Sequence, residues 1–131
     1  MASLLSLSDA DLSGKTVLVR VDINSPLNPV TGEFLDDARL RAILPTLRRL
    51  GSSKVVLLAH QSRPGKNDFT SMKRHAELLS VLLGRSIGFV PAVCGEVALN
   101  AIQNMESADI LVLDNVSGWD EDISMIAASI D

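Results

Sequence analysis

An open parallel α/β sheet with helices on both faces is the fold the 131-residue sequence predicts. Two observations carry it. Four apolar segments, at 16–21, 54–59, 87–90 and 109–113, alternate with stretches of helical periodicity. The strand segments are also continuously apolar rather than apolar on every second residue. That pattern belongs to strands buried on both faces, as crossover helices require. A third observation bears on function. Short polar clusters follow three of the strands: Asp22-Ile23-Asn24, His60-Gln61-Ser62-Arg63-Pro64 and Asp114-Asn115. Parallel sheets bind ligands outside the carboxyl ends of their strands, so these clusters converge on one crevice.

The elements follow in order. Asp9 to Leu12 is a lead-in, and Ser13-Gly14-Lys15 turns into the first strand. Residues 25–34 hold Pro26, Pro29 and Gly32 and form a loop. A helix starts at Asp36, whose carboxylate suits an N-cap. Leu40, Ile43, Leu44, Leu47 and Leu50 make its apolar stripe, Pro45 kinks it, and Gly51 closes it. After strand two, a loop over 61–70 leads to a second helix starting at Thr70 or Ser71. Its stripe is His75, Leu78, Leu79, Leu82 and Leu83, and Gly84 ends it. Cys94 to Met105 is a third helix with Val97, Ala98, Ala101, Ile102 and Met105 on one face. Residues 125–130 begin a further helix. The result is a Rossmann-like sheet of at least four strands.

Composition narrows the function. One domain with one core fits this length. The net charge of −4 opposes a nucleic-acid surface, which needs a basic face. No apolar run is long enough to cross a membrane, and residues 1–7 lack the basic start of a secretory signal. Cys94 is the only cysteine, which excludes an intrachain disulfide and fits a reducing cytosol. A zinc site would need clustered Cys and His ligands, and His60 and His75 are not spaced for one. There is no glycine-rich phosphate loop and no dinucleotide fingerprint.

What remains is a local set of cations. Arg20, Arg39, His60 and Arg63 stand at strand ends or at a helix start and point to a small anionic ligand. Arg39 sits in the first helical turn, where a cation opposes the macrodipole. Asp22 and Asn24 lie two apart, so in extended backbone they face the same way. A carboxylate accepts from a ligand hydroxyl, and an amide donates to a carboxylate or phosphate. Each cluster also has a plain reading. Asp22 and Asn24 before Ser25-Pro26 make ordinary turn chemistry, and Arg63 before Pro64 fits a solvated loop. Cys94 is read as a buried small hydrophobe or, alternatively, a nucleophile.

The ordered clusters resemble the amino-terminal, phosphoglycerate-binding domain of phosphoglycerate kinase. The segments that carry the resemblance are Val19-Arg20-Val21-Asp22-Ile23-Asn24-Ser25-Pro26, Asp36-Asp37-Ala38-Arg39-Leu40-Arg41, Leu58-Ala59-His60-Gln61-Ser62-Arg63-Pro64-Gly65 and Asp109 to Val116. The Asp-Ile-Asn and Ala-His-Gln wording is closest to archaeal members. The resemblance spans about residues 9–120. It implies a cytoplasmic transferase of glycolysis that moves a phosphoryl group reversibly between 1,3-bisphosphoglycerate and ADP. It implies that Asp22 and Asn24 contact the glycerate end, that His60 and Arg63 bind its anionic groups, and that Arg39 stabilises the transferring phosphoryl group.

The resemblance further implies that residues 1–131 are one partial domain, inactive alone, with the nucleotide domain absent. Mg-ATP or Mg-ADP would be held by that carboxy-terminal domain, and no cofactor or metal by this chain. The family pattern has Arg where this chain has Ser117, which leaves the basic patch one cation short. A non-catalytic relative that binds a small anion or a protein partner, and an unrelated α/β regulatory domain, are the competing classes.

Overall fold

In the computed structural model, residues 11–116 are described, and eight elements follow one another along them. They are β1 (Thr16–Arg20), α1 (Ala38–Ala42), α2 (Leu44–Arg49), β2 (Lys54–Leu58), α3 (Lys73–Leu83), β3 (Gly88–Val90), α4 (Gly95–Gln103) and β4 (Ile110–Leu113). The four strands form one parallel sheet in the order β1-β2-β4-β3. Thr16 stands opposite Lys54, Val55 opposite Ile110, and Gly88 opposite Leu111. A Cβ at Gly88 would lie 2.7 Å from a methyl of Leu111, so a larger residue there would make that side chain move.

Alternate residues of each strand enter different cores. Val55, Leu57, Ile110 and Val112 pack with Leu40, Leu44, Leu47, Met72, Ala76 and Leu79 from α1, α2 and α3. Val56, Leu58 and Leu113 pack with Ala98 and Ile102 of α4. Helices therefore cover both faces, as predicted. The order explains the division. The crossovers β1 to β2 and β2 to β3 run in one direction along the sheet, and β3 to β4 runs back. Keeping every crossover right-handed puts α4 on the face opposite the other three helices.

Several boundaries differ from the sequence reading. The helix expected from Asp36 is two short helices broken at Ile43. Pro45, in the first turn of α2, has no N–H for the carbonyl of Arg41, so the ladder cannot run through. Asp37, not Asp36, takes the N-cap position and makes no side-chain cap bond. Its carboxylate pairs with Arg41 at 3.0 Å, while Asp36 Oδ1 accepts the Ala38 N–H at 2.8 Å. α3 starts at Lys73 rather than at Thr70 or Ser71, and Asp114 Oδ1 accepts the N–H of Met72 at its N-cap. Val97 lies outside the buried face of α4 and is 56% exposed, while Ala98 and Ile102 fill that face. Cys94, half-buried at the N-cap of α4, packs against the second core. The loop 25–34 contains a hairpin closed by Leu27–Phe34 pairing and by Leu35 N–H to Pro26 O. The expected helix at 125–130 lies outside the described residues.

Candidate anion site at the carboxyl edge

Three strand ends supply a cavity of about 420 Å³ lined by Arg20, His60, Ser62, Arg63 and Val116. Arg20 is the last residue of β1, His60 stands two residues beyond β2, and Val116 three beyond β4. The cavity thus lies outside the carboxyl ends of the sheet, where this architecture places ligands. Two guanidinium groups and an imidazole face it with no carboxylate among the lining residues. A larger cavity of about 700 Å³ lies between the hairpin and α3. Glu33, Asp36, Asp37 and Glu77 line it against one cation, Arg74. Its sign is wrong for an anion, so size does not decide between the two.

Beside the smaller cavity, Arg39 Nη1 donates to Asp22 Oδ1 at 3.1 Å and to the Asn24 carbonyl at 3.0 Å. Both side chains of that ion pair are more than half exposed, so it contributes little to stability. It does set the direction of the guanidinium. Asn24 joins this pair to the cavity, because its Oδ1 accepts the N–H of Ser62 at 3.1 Å. With Oδ1 committed, Nδ2 is the donor Asn24 can offer a ligand. Ser62 has a φ of +59°, in the left-handed region that residues with a Cβ rarely occupy. Of the six residues singled out in the sequence, Arg20, His60 and Arg63 line the cavity. Asp22, Asn24 and Arg39 form an adjoining unit outside its lining.

A buried polar layer beneath these groups escaped the sequence reading. Gln61 is fully buried and clasps Ser25 twice, with Oε1 accepting the Ser25 N–H at 3.0 Å and Nε2 donating to its carbonyl at 2.8 Å. Asn115 Oδ1 accepts the Gln61 N–H, and its Nδ2 donates to the carbonyls of Gln61 and Thr70. His75, also fully buried, bonds through Nε2 to Gln61 Oε1 at 3.0 Å. That oxygen already accepts from Ser25, so the imidazole is the donor and carries its proton on Nε2. Burial lowers the His75 pKa from 6.5 to about 4, so the ring is neutral at pH 7. The available signals were Gln61 directly after a buried strand and His75 on a core-facing stripe.

Sheet and cavity together define a class of protein: a parallel α/β domain with a cavity at its strand ends lined by cationic side chains. Comparison with known proteins gives the family. The phosphoglycerate kinase family model matches residues 7–126, and the chain belongs to the phosphoglycerate kinase family. It is 49% identical over 120 residues to the phosphoglycerate kinase of Methanosarcina mazei, covering 92% of this chain and 29% of that protein. It is 43% identical over 125 residues to that of Thermoplasma volcanium, covering 95% of this chain and 31% of the relative. The crystal structure of the Pyrococcus horikoshii OT3 enzyme superposes with a TM-score of 0.85 at 35% identity, over 92% of this chain and 30% of that one. All three relatives are archaeal, in keeping with the wording of the motifs. The chain spans about three-tenths of the length of the curated relatives it matches.

Proposed function

We propose that this chain is the phosphoglycerate-binding portion of a phosphoglycerate kinase, one partial domain of an enzyme that transfers a phosphoryl group between 1,3-bisphosphoglycerate and ADP. The observation that supports this most is the cavity of Arg20, His60 and Arg63 joined through Asn24 to the Asp22–Arg39 pair. 3-Phosphoglycerate carries a phosphate, a carboxylate and a hydroxyl. The two guanidinium forks and the imidazole suit the anionic groups, and Asn24 Nδ2 supplies a further donor. The free oxygen of Asp22 suits the hydroxyl.

Arg39 is the group proposed to act in the transfer itself. Its Nη1 is held by Asp22 and Asn24, which leaves Nε and Nη2 to meet negative charge developing on the phosphoryl group. Mg-nucleotide, held by a carboxy-terminal domain, supplies the other reactant in the whole enzyme. The reading keeps the chain cytoplasmic, and among the described residues no helix is long and apolar enough to cross a membrane.

The test is titration of the 131-residue chain with 3-phosphoglycerate, with sulfate as competitor. Binding is expected to be weak and selective over sulfate. Arg63→Ala should weaken it by about tenfold or more, since one charge-assisted hydrogen bond contributes about 1.5–3 kcal/mol. Ser117 lies outside the described residues; Ser117→Arg restores the family's cation and should tighten binding by roughly one to two decades on the same scale. Equal affinity for sulfate and 3-phosphoglycerate would show a generic basic patch and overturn the reading.

A further inference from the structure

We propose that His75, which is outside the cavity, is the positioning residue for the segment Asp22 to Ser25, acting through the orientation of the Gln61 side chain. The argument starts from a cost. His75 occupies a buried, core-facing position of α3 between Met72 and Leu79, among apolar side chains. The position holds an imidazole whose Nδ1 is buried and has no partner among the described residues. A polar atom left so is unfavourable. What the ring supplies in return is the Nε2–H to Gln61 Oε1, together with an edge-to-face contact on Phe34 at 4.8 Å.

That hydrogen bond reinforces one of two orientations of the Gln61 amide. A side-chain amide can rotate by half a turn and exchange its oxygen for its NH₂ at almost no steric cost. In one orientation Oε1 receives the Ser25 N–H and Nε2 reaches the Ser25 carbonyl, closing a two-bond clasp. In the other, both bonds to Ser25 become donor against donor and acceptor against acceptor. With its proton on Nε2, His75 adds a third interaction favouring the first orientation, and the second would require that proton to move to Nδ1.

Ser25 is one residue from Asn24, whose carbonyl takes Arg39 and whose Oδ1 takes the Ser62 N–H of the cavity wall. The chain of contacts therefore runs from a core histidine to both halves of the site. The plain alternative is a histidine that only fills space. It predicts that shape at position 75 matters and hydrogen-bonding capacity does not.

Two substitutions separate these cases in the 131-residue chain. His75→Phe keeps an aromatic ring against Phe34 and loses the donor, while His75→Gln loses the ring and keeps an N–H. Amide hydrogen exchange at Ser25 and Ser62 is the first readout, with the amides of β2 and β4 as the control for folding. Both site amides are expected to exchange at least tenfold faster in His75→Phe and near the parent rate in His75→Gln. Gln61→Met should release them as His75→Phe does, and the two together should add little, since they break one device.

Affinity for 3-phosphoglycerate is the second readout and rests on the proposed function. It is expected to fall about tenfold in His75→Phe and to recover in His75→Gln. A parent chain that binds no 3-phosphoglycerate overturns the proposed function and leaves the exchange readout to decide the role of His75. Should His75→Phe fail the circular-dichroism test of folding, His75→Gln and Gln61→Met carry the comparison. Site amides that exchange as fast in His75→Gln as in Gln61→Met, or at the parent rate in His75→Phe, overturn the positioning role.

Discussion

His75 is neutral because it is buried, and that has a consequence for stability. The folded chain holds the ring unprotonated down to about pH 4, whereas the unfolded chain takes up the proton near pH 6.5. Between those values the unfolded state binds more protons, so stability falls as the pH falls and is fully present above about pH 7. The shift corresponds to about 3 kcal/mol lost between pH 7 and pH 4. Urea unfolding at pH 7, 5.5 and 4 measures it. Carboxylates titrate over part of the same range, so the informative quantity is the difference from His75→Gln, whose stability lacks this component. Parallel curves for the two chains would place the histidine in a more polar setting.

At this scale the sequence was legible where charge marks a residue. His60 and Arg63 were placed together by their position after a buried strand, and the structure puts them on one cavity. Arg20 was counted among the cations that point to an anionic ligand but given no specific contact, because nothing in one sequence shows which face of a terminal strand residue is open. Gln61 and Asn115 were placed in polar clusters at strand ends and Ser25 in a loop, none of them with a role of its own. Their importance comes from partners 36 to 54 positions away in the chain, which no local pattern encodes. His75 was assigned to an apolar stripe, correctly as to burial, but its bond partner lies on another element.

Helices show where local chemistry suffices and where it does not. Gly84 ends α3 with φ at +76°, and its N–H returns to the Ser80 carbonyl at 3.0 Å. A Cβ at this position would meet no atom within 4 Å. Gly84→Ala therefore isolates the backbone cost of a left-handed alanine, about 1 kcal/mol. The expected outcome is a lower urea midpoint with an unchanged slope, since the native fold exposes no new surface. This helix end was visible in the sequence because glycine is almost self-sufficient as a stop signal. The break at Ile43 was half visible. Pro45 announced an irregularity, but the four leucines and one isoleucine around it keep helical spacing across the break, so periodicity alone joined the two pieces. The N–H at the start of α3 is satisfied by Asp114, a residue after the last strand, a partner that the helix's own sequence does not show.

The strand order bears on how the whole molecule assembles. β4 is third in space and last of the four in the chain, and it separates β2 from β3. A polypeptide emerging from the ribosome therefore carries β3 for some twenty residues with no strand to pair against. Until residues 110–113 appear, only β1 and β2 can form a sheet, and two strands are marginal in water. Assembly is expected in one late step rather than strand by strand. Chains released at residue 108 should be cleaved rapidly by a protease that chains ending at residue 116 resist; similar resistance of the two would refute this. The same late segment brings Asn115, which fastens Gln61, and Val116, which walls the cavity. Ligand recognition and completion of the sheet are thus expected to arrive together during synthesis. A nascent chain gains no cationic cavity at its strand ends before it has a protected core.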